Sequence, residues 1–264
     1  MTATGTSTIA SFHLIRYDSA GAMRHMAFDR PLLRRTGGLR FWRLLGTGRG
    51  RSMSLGADLR RWALFAVWHG EADLEVFLRT SPIASRWRTE AREHWQVRLI
   101  PVTSRGTWSG HDPVHGAWPG HSLSRDVRPG RDPSRDVRPG RDPLDGPAAR
   151  GGGAEGPVAV LTRASIRPGR LVAFYRSVPP VDELLRRQEG CLASVGMGEW
   201  PLARQATFSL WRDRAAVRAF AYRGEAHQRV IERVRAHDWY AEELFARFTP
   251  YAGEGTWDGT DPLR

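Results

Sequence analysis

Lysine and asparagine are absent from all 264 residues, so each of the 40 basic side chains is an arginine. Both missing residues use A/T-rich codons, and their joint absence marks a G/C-rich coding sequence rather than selection for phosphate contacts. The net charge of +12 is spread along the chain instead of forming one block, which gives no specific footprint for nucleic acid. A basic surface of this kind suits anionic lipid better. A single cysteine, Cys191, excludes an internal disulfide and a cysteine-based zinc site. No run approaches the ~18–20 uncharged apolar residues of a membrane span. The opening MTATGTSTIASF has neither a basic n-region nor an apolar h-region, so a cytoplasmic chain is expected. There is no G-x-S-x-G, P-loop, H-E-x-x-H or C-x-x-C, which weakens hydrolase, kinase and zincin readings.

Large apolar side chains are also scarce between residues 119 and 156, where SRDVRPGRDP occurs at Ser124–Pro133 and again at Ser134–Pro143. Such a segment cannot bury enough surface to offset its ordering entropy. It reads as a disordered linker between a first unit, 1–118, and a second, 157–264.

The two units are copies of one another. TSRGTWSG ending at Gly110 runs beside AGEGTWDG ending at Gly259, which aligns Trp108 with Trp257, Pro101 with Pro250 and Arg98 with Arg247. Trp68 pairs with Trp211, Phe77 with Phe220, and Gly46/Gly48 with Gly196/Gly198. Each copy opens on a strand-like run (SFHLIRY; VAVLTRAS) and a helix-like stretch. Two strand-like runs follow, then a helix opened by Glu71/Asp73 or Asp213, then a last strand (WQVRLIPV; LFARFTPY). That order, β-α-β-β-α-β, is the ferredoxin-like unit. The expected fold is α+β: two tandem ferredoxin-like repeats packed as a fused dimeric α/β-barrel, with an apolar cavity between sheets and helices.

Among the nine histidines, His227 stands out. His227, Val230, Ile231 and Val234 recur at i, i+3, i+4 and i+7, the inward stripe of an amphipathic helix. The corresponding position in the first copy is Ala84. Two readings stand: a core histidine bonded to a backbone carbonyl, or an axial ligand to haem iron whose second nitrogen is held by a hydrogen bond. His237 lies off that stripe, His13 sits on a strand and could face either side, and His94 aligns with Glu243 and reads as solvated. His111, His115 and His121 with Asp112 are irregularly spaced at the approach to the linker and read as solvated loop. The glycines of GTGRGR precede a strand rather than a helix and so read as a turn, not a dinucleotide site. Cys191, near the position of Phe41, reads as a small core residue.

FWRLLGTGRG, SPIASRWR, SRGTWSG, VAVLTRASIRPGRLVAFY, GMGEWP, QATFSLW, HQRVIERVR and EELFARF, in this order and across both copies, resemble the spheroidene monooxygenase family, the acyclic carotenoid 2-ketolases. The resemblance implies O2-dependent oxidation of an acyclic carotenoid to a ketone, with haem iron as cofactor and a ferredoxin-type electron donor. By position it makes His227 the haem ligand. It also brings in Arg163, of Thr162-Arg163, as a fork donor to a haem propionate, with Arg16 as its first-copy counterpart. Where the family tends to have Phe-Lys, this chain has Ala193-Ser194, which empties the pocket. An apolar product adds peripheral contact with a membrane to the expectations; nucleic acid is not an expected partner. Two other functions fit the same sequence: a cofactor-free monooxygenase of the same barrel class, and a haem- or lipid-binding protein without turnover.

The duplicated segment generates a direct test. Deleting one copy, Ser134–Pro143, is expected to leave the melting temperature unchanged within experimental error. A large loss of stability would show that the segment packs against the fold.

Overall fold

Period-two alternation gives every strand two faces, and both must be covered if the sheet closes on itself. The computed structural model describes residues 7–48, 56–115, 156–200, 204–223 and 239–264; the 119–156 segment, His227, His237 and His121 fall outside them, apart from Gly156. The elements are β1 (Ile9–Arg16), α1 (Arg24–Arg34), β2 (Leu39–Gly48), β3 (Ala57–Trp68), α2 (Glu71–Thr80), α3 (Pro82–Glu90) and β4 (Glu93–Gly106), then β5 (Val158–Ile166), α4 (Leu171–Arg187), β6 (Cys191–Trp200), β7 (Arg204–Trp211), α5 (Arg214–Arg223) and β8 (Tyr240–Gly255). Glu71 and Asp73 open α2 as expected. Asp213 accepts a hydrogen bond from the Ala216 N–H at 2.7 Å at the start of α5, and this bond holds its carboxyl below the usual range. Where one helix is expected after β3 there are two: Ser81 caps the Ile83 N–H, and Pro82 starts α3 at the position that needs no N–H donor. Among the described residues no helix is long and apolar enough to cross a membrane.

All eight strands join one closed antiparallel barrel in the order β1-β3-β2-β6-β7-β5-β8-β4. Each half therefore has the same internal order, β2-β3-β1-β4 and β6-β7-β5-β8. The seams between the halves are unequal. β4 and β8 pair from Trp95↔Gly255 to Gly106↔Leu244, with register shifts at Arg98/Leu99 and Pro101/Thr103, whereas β2 and β6 pair at Gly46↔Gly198 and Thr47↔Met197.

Side chains from all eight strands fill the interior, including Phe12, Phe41, Phe65, Trp95, Val97, Leu161, Met197, Phe208 and Phe248. Phe12 and Phe208, one from each half, stack with centroids 3.9 Å apart. The repeated G-T-W-x-G turns follow β4 and β8. Because these strands are antiparallel, Trp108 and Trp257 lie at opposite ends of the barrel, both buried. Glu242 accepts from the Thr107 hydroxyl and the Gly110 N–H, and Glu93 accepts in the same way from Thr256 and Gly259. Each half thus latches the turn of the other. Gly106 and Gly255 enter these turns at φ +87°, where an added Cβ would lie 2.1 and 2.0 Å from the carbonyl oxygens of Glu243 and His94. Only glycine fits there.

Since the aromatic stack crosses the barrel interior from β1 to β7, Phe208→Ala should cost about 3–5 kcal/mol. Denaturant unfolding would show a lowered midpoint, and a loss below about 1 kcal/mol would mean that the interior is not close-packed around this pair.

Candidate functional site

Sheet side chains that do not enter the barrel face the helices, and here the two halves differ. In the first half this layer is one continuous apolar cluster: Ile15, Leu44, Trp62, Leu64 and Trp68 from the sheet meet Leu33, Leu74, Phe77, Ile83 and Trp87 from α1, α2 and α3. Cross-strand register gives the second-half equivalents. Ile15 opposite Trp62 becomes Ala164 opposite Gln205, and His13 opposite Leu64 becomes Thr162 opposite Thr207. Leu44 opposite Leu64 becomes Gly196 opposite Thr207, and Trp42 opposite Ala66 becomes Ser194 opposite Ser209. At five of these seven positions a large apolar side chain gives way to a small or polar one.

Interiors are packed at nearly constant density, so the volume surrendered at these positions is taken up by helix side chains or by a bound group. Among the described residues, the apolar side chains around the second-half floor fall into two groups. Val160, Leu185, Trp211, Ala216 and Val217 gather at one end, and Ile166, Phe174 and Trp239 at the other. Between them Thr162 and Thr207 are only half-buried, whereas their equivalents His13 and Leu64 are 0% exposed. Gln205 is buried and donates to the Tyr175 hydroxyl of α4 at 2.8 Å, and burial pushes that phenol above its ordinary pKa. The floor therefore presents hydroxyls and one oriented amide within apolar flanks.

The expected site residues distribute as follows. His227 and His237 lie outside the described residues. Arg163 is on β5 but points into the barrel, on the face opposite Thr162 and Ala164. It pairs with Glu242, lies 4.0 Å from Glu199 and sits over the Trp108 ring. Its fork is engaged by carboxylates at the barrel mouth. The expected counterpart also shifts. Register places Leu14 opposite Ala63 where Arg163 is opposite Ala206, while Arg16 lies two residues further on and pairs with Asp258 at the other end of the barrel.

Arg43 completes the mouth, bonding Glu199 at 2.8 Å with its Cζ 4.2 Å over Phe41. Burial holds Arg43 below its ordinary pKa. Burial raises Glu242, but bonds from Gly110, Thr107 and Arg163 outweigh it and hold the carboxyl low. The Arg43–Glu199 pair crosses the short β2–β6 seam. Neither Arg43, Glu199 nor Glu242 is distinguishable by spacing alone from the chain's many other charges.

His94, expected to be solvated, is instead stacked 5.8 Å from His13 and packed against Trp87. His13 is completely buried on the helix side and bonds Ser11 at 3.0 Å. His13 Nδ1 and His94 Nε2 are buried without a partner. Desolvation is the main cause that drops His94 to about 4 and His13 well below 6.5. Asp112 accepts from Ser104, Val114 and His115, an internal fastening of the loop, and among the described residues no three His, Cys, Asp or Glu side chains assemble as a metal site. Cys191 is half-buried on β6, equivalent by register to Leu39, with Sγ 3.8 Å from the Ala193 carbonyl.

No protein-family model matches the chain. It is 32% identical over 259 residues to spheroidene monooxygenase of Rhodobacter capsulatus, covering 97% of this chain and 95% of that protein. Against spheroidene monooxygenase of Rubrivivax gelatinosus the identity is 36% over 222 residues, covering 84% and 73%. Among solved structures, an aldoxime dehydratase superposes with a TM-score of 0.59 at 14% identity, covering 99% of this chain and 88% of that one, a likeness of fold.

The histidine pair makes stability depend on pH. Both folded-state pKa values lie below the unfolded value near 6.5, so the unfolded chain binds more protons between about pH 4 and 6.5. The stability these neutral rings contribute is fully present above about pH 6.5 and is lost as the pH falls, with a limiting slope of about 1.4 kcal/mol per pH unit for each. His13→Leu/His94→Gln should flatten the fall measured by denaturant unfolding from pH 7 to 5. An identical slope in the variant would show that the two rings are protonated in the native state.

Proposed function

The chain belongs to the spheroidene monooxygenase family, and from that premise we propose that it is a haem-dependent monooxygenase oxidising an acyclic carotenoid to a ketone on the helix-facing floor of its second half. One observation carries the reading: at equivalent register positions Ile15, Leu44, Trp62 and Leu64 are replaced by Ala164, Gly196, Gln205 and Thr207. A floor of small side chains between two apolar flanks suits a planar macrocycle or an extended polyene. The first-half face, closed by Trp62 and Trp87, has no comparable room. We read the halves as tandem ferredoxin-like units, because both show the same strand order.

The floor suits haem by its mixture of hydroxyls and apolar surface. His227 is the iron ligand in this reading, since its first-half counterpart Ala84 is buried on α3 against the sheet. When bound, haem supplies an iron centre for O2 chemistry, with electrons from a ferredoxin-type donor. The chain's own residues do the rest. Trp211 and Val160 at one end and Ile166 and Phe174 at the other exclude water and hold an apolar chain in line. Thr162, Thr207 and Ser194 offer hydroxyls across the floor, and Tyr175 fixes the Gln205 amide. Arg163 acts from behind, holding Glu242 and Glu199 so that β5, β6 and β8 keep their register beneath the site.

His227→Ala, expressed with ample haem, should lose the Soret band while unfolding no more than about 1–3 kcal/mol more easily. His94→Ala should keep the band. A full band in His227→Ala would place the iron on another residue, and ketone formation by protein lacking any haem spectrum would favour a cofactor-free oxygenase.

A further inference from the structure

On α1 the ordinary arrangement of an amphipathic helix is reversed at its outer surface. Its inward positions are Met26, Asp29 and Leu33; Asp29 is fully buried and forms a salt bridge with Arg86 of α3, which fastens the helix to the first-half layer. The outward positions Ala27, Phe28, Pro31 and Leu32 are all exposed, Phe28 by 64% and Leu32 by 38%. Rows spaced by four run Arg24–Phe28–Leu32 and Ala27–Pro31–Arg35, with Arg30 and Arg34 alongside, so the apolar strip is rimmed by arginines.

The charge of this surface is one-sided. Asp29 is the one carboxylate of the helix, and it faces inward. Arg24, Arg30, Arg34 and Arg35 form no salt bridge with any described residue; Asp18 pairs with Arg92, and Glu90 with the half-buried His25 at the start of α1. A convex strip of two large apolar side chains offers no pocket to a folded partner. It does match the boundary of an anionic bilayer, where phenyl and isobutyl groups reach below the headgroups and guanidinium forks meet lipid phosphates.

We infer that α1 is a membrane-docking helix, seating Phe28 and Leu32 in the interface of a bilayer rich in acidic phospholipid. This rests on exposure and charge and stands apart from the carotenoid reading, although a lipid-soluble substrate would be met at the same surface.

Sedimentation of the full-length protein with vesicles tests it. The protein should partition onto phosphatidylcholine vesicles containing phosphatidylglycerol and hardly at all onto phosphatidylcholine alone. Phe28→Ser/Leu32→Ser leaves the net charge unchanged and touches no core residue; it should weaken partitioning at least about tenfold with an unaltered melting curve. Arg30→Gln/Arg34→Gln should weaken it comparably and reduce its sensitivity to salt. Absence of binding to either vesicle would overturn the proposal. So would binding that the Phe28/Leu32 variant retains in full, since the general positive charge would then suffice. A dimer that the same variant splits, without vesicle binding, would assign the strip to a second copy of the chain.

Discussion

Closure of the eight-stranded sheet is the constraint on which the rest depends. Once the barrel closes, each strand residue has only two directions, into the aromatic interior or out toward the helices. The interior side is fixed by packing: Phe12 on Phe208, Phe65 on Phe248 and Trp108, and the two turn tryptophans at the ends. The short β2–β6 seam shows how much rests on those side chains, because two register pairs alone are a weak join. Arg43 and Glu199 brace that seam from the barrel mouth, and the long β4–β8 seam with its reciprocal glutamate latches closes the other side.

With the interior committed to packing, the outward faces are where the halves can diverge. The first uses its face for stability: a continuous layer of tryptophan, leucine and isoleucine, with His13 and His94 held neutral inside it. In the second, the described apolar contacts on this face gather at the two ends of the sheet. A duplicated unit that relaxes packing in one copy can carry a ligand there while its twin carries the fold. The charged network of Arg43, Arg163, Glu199 and Glu242 lies on the other side of the same strands.

Much of this was legible in the sequence, and the failures have physical causes. The G-T-W-x-G copies mark the turns that follow β4 and β8, and Trp68 and Trp211 mark the ends of β3 and β7, because those turns need glycine and those tryptophans are buried. Arg16 lies two residues beyond Leu14, the register equivalent of Arg163; a two-residue offset preserves the period-two face, so patterning does not reveal it and cross-strand register does. His94 was read as solvated because it aligns with Glu243, but its burial comes from Trp87 on α3, a tertiary contact invisible to strand patterning. The loss of bulk across the second floor was readable in principle by comparing Leu64 with Thr207 and Trp62 with Gln205, once Trp68 and Trp211 had been paired.

The central claim is that the second-half floor is the working surface and the first-half face is scaffold. It is tested most directly by giving the floor the first half's residues, Ala164→Ile/Thr207→Leu, and assaying ketone formation from an acyclic carotenoid beside the reciprocal variant Ile15→Ala/Leu64→Thr. The account predicts that the filled floor loses product while its melting temperature holds or rises, and that the reciprocal variant is less stable yet still forms product. Undiminished product from the filled floor would contradict it.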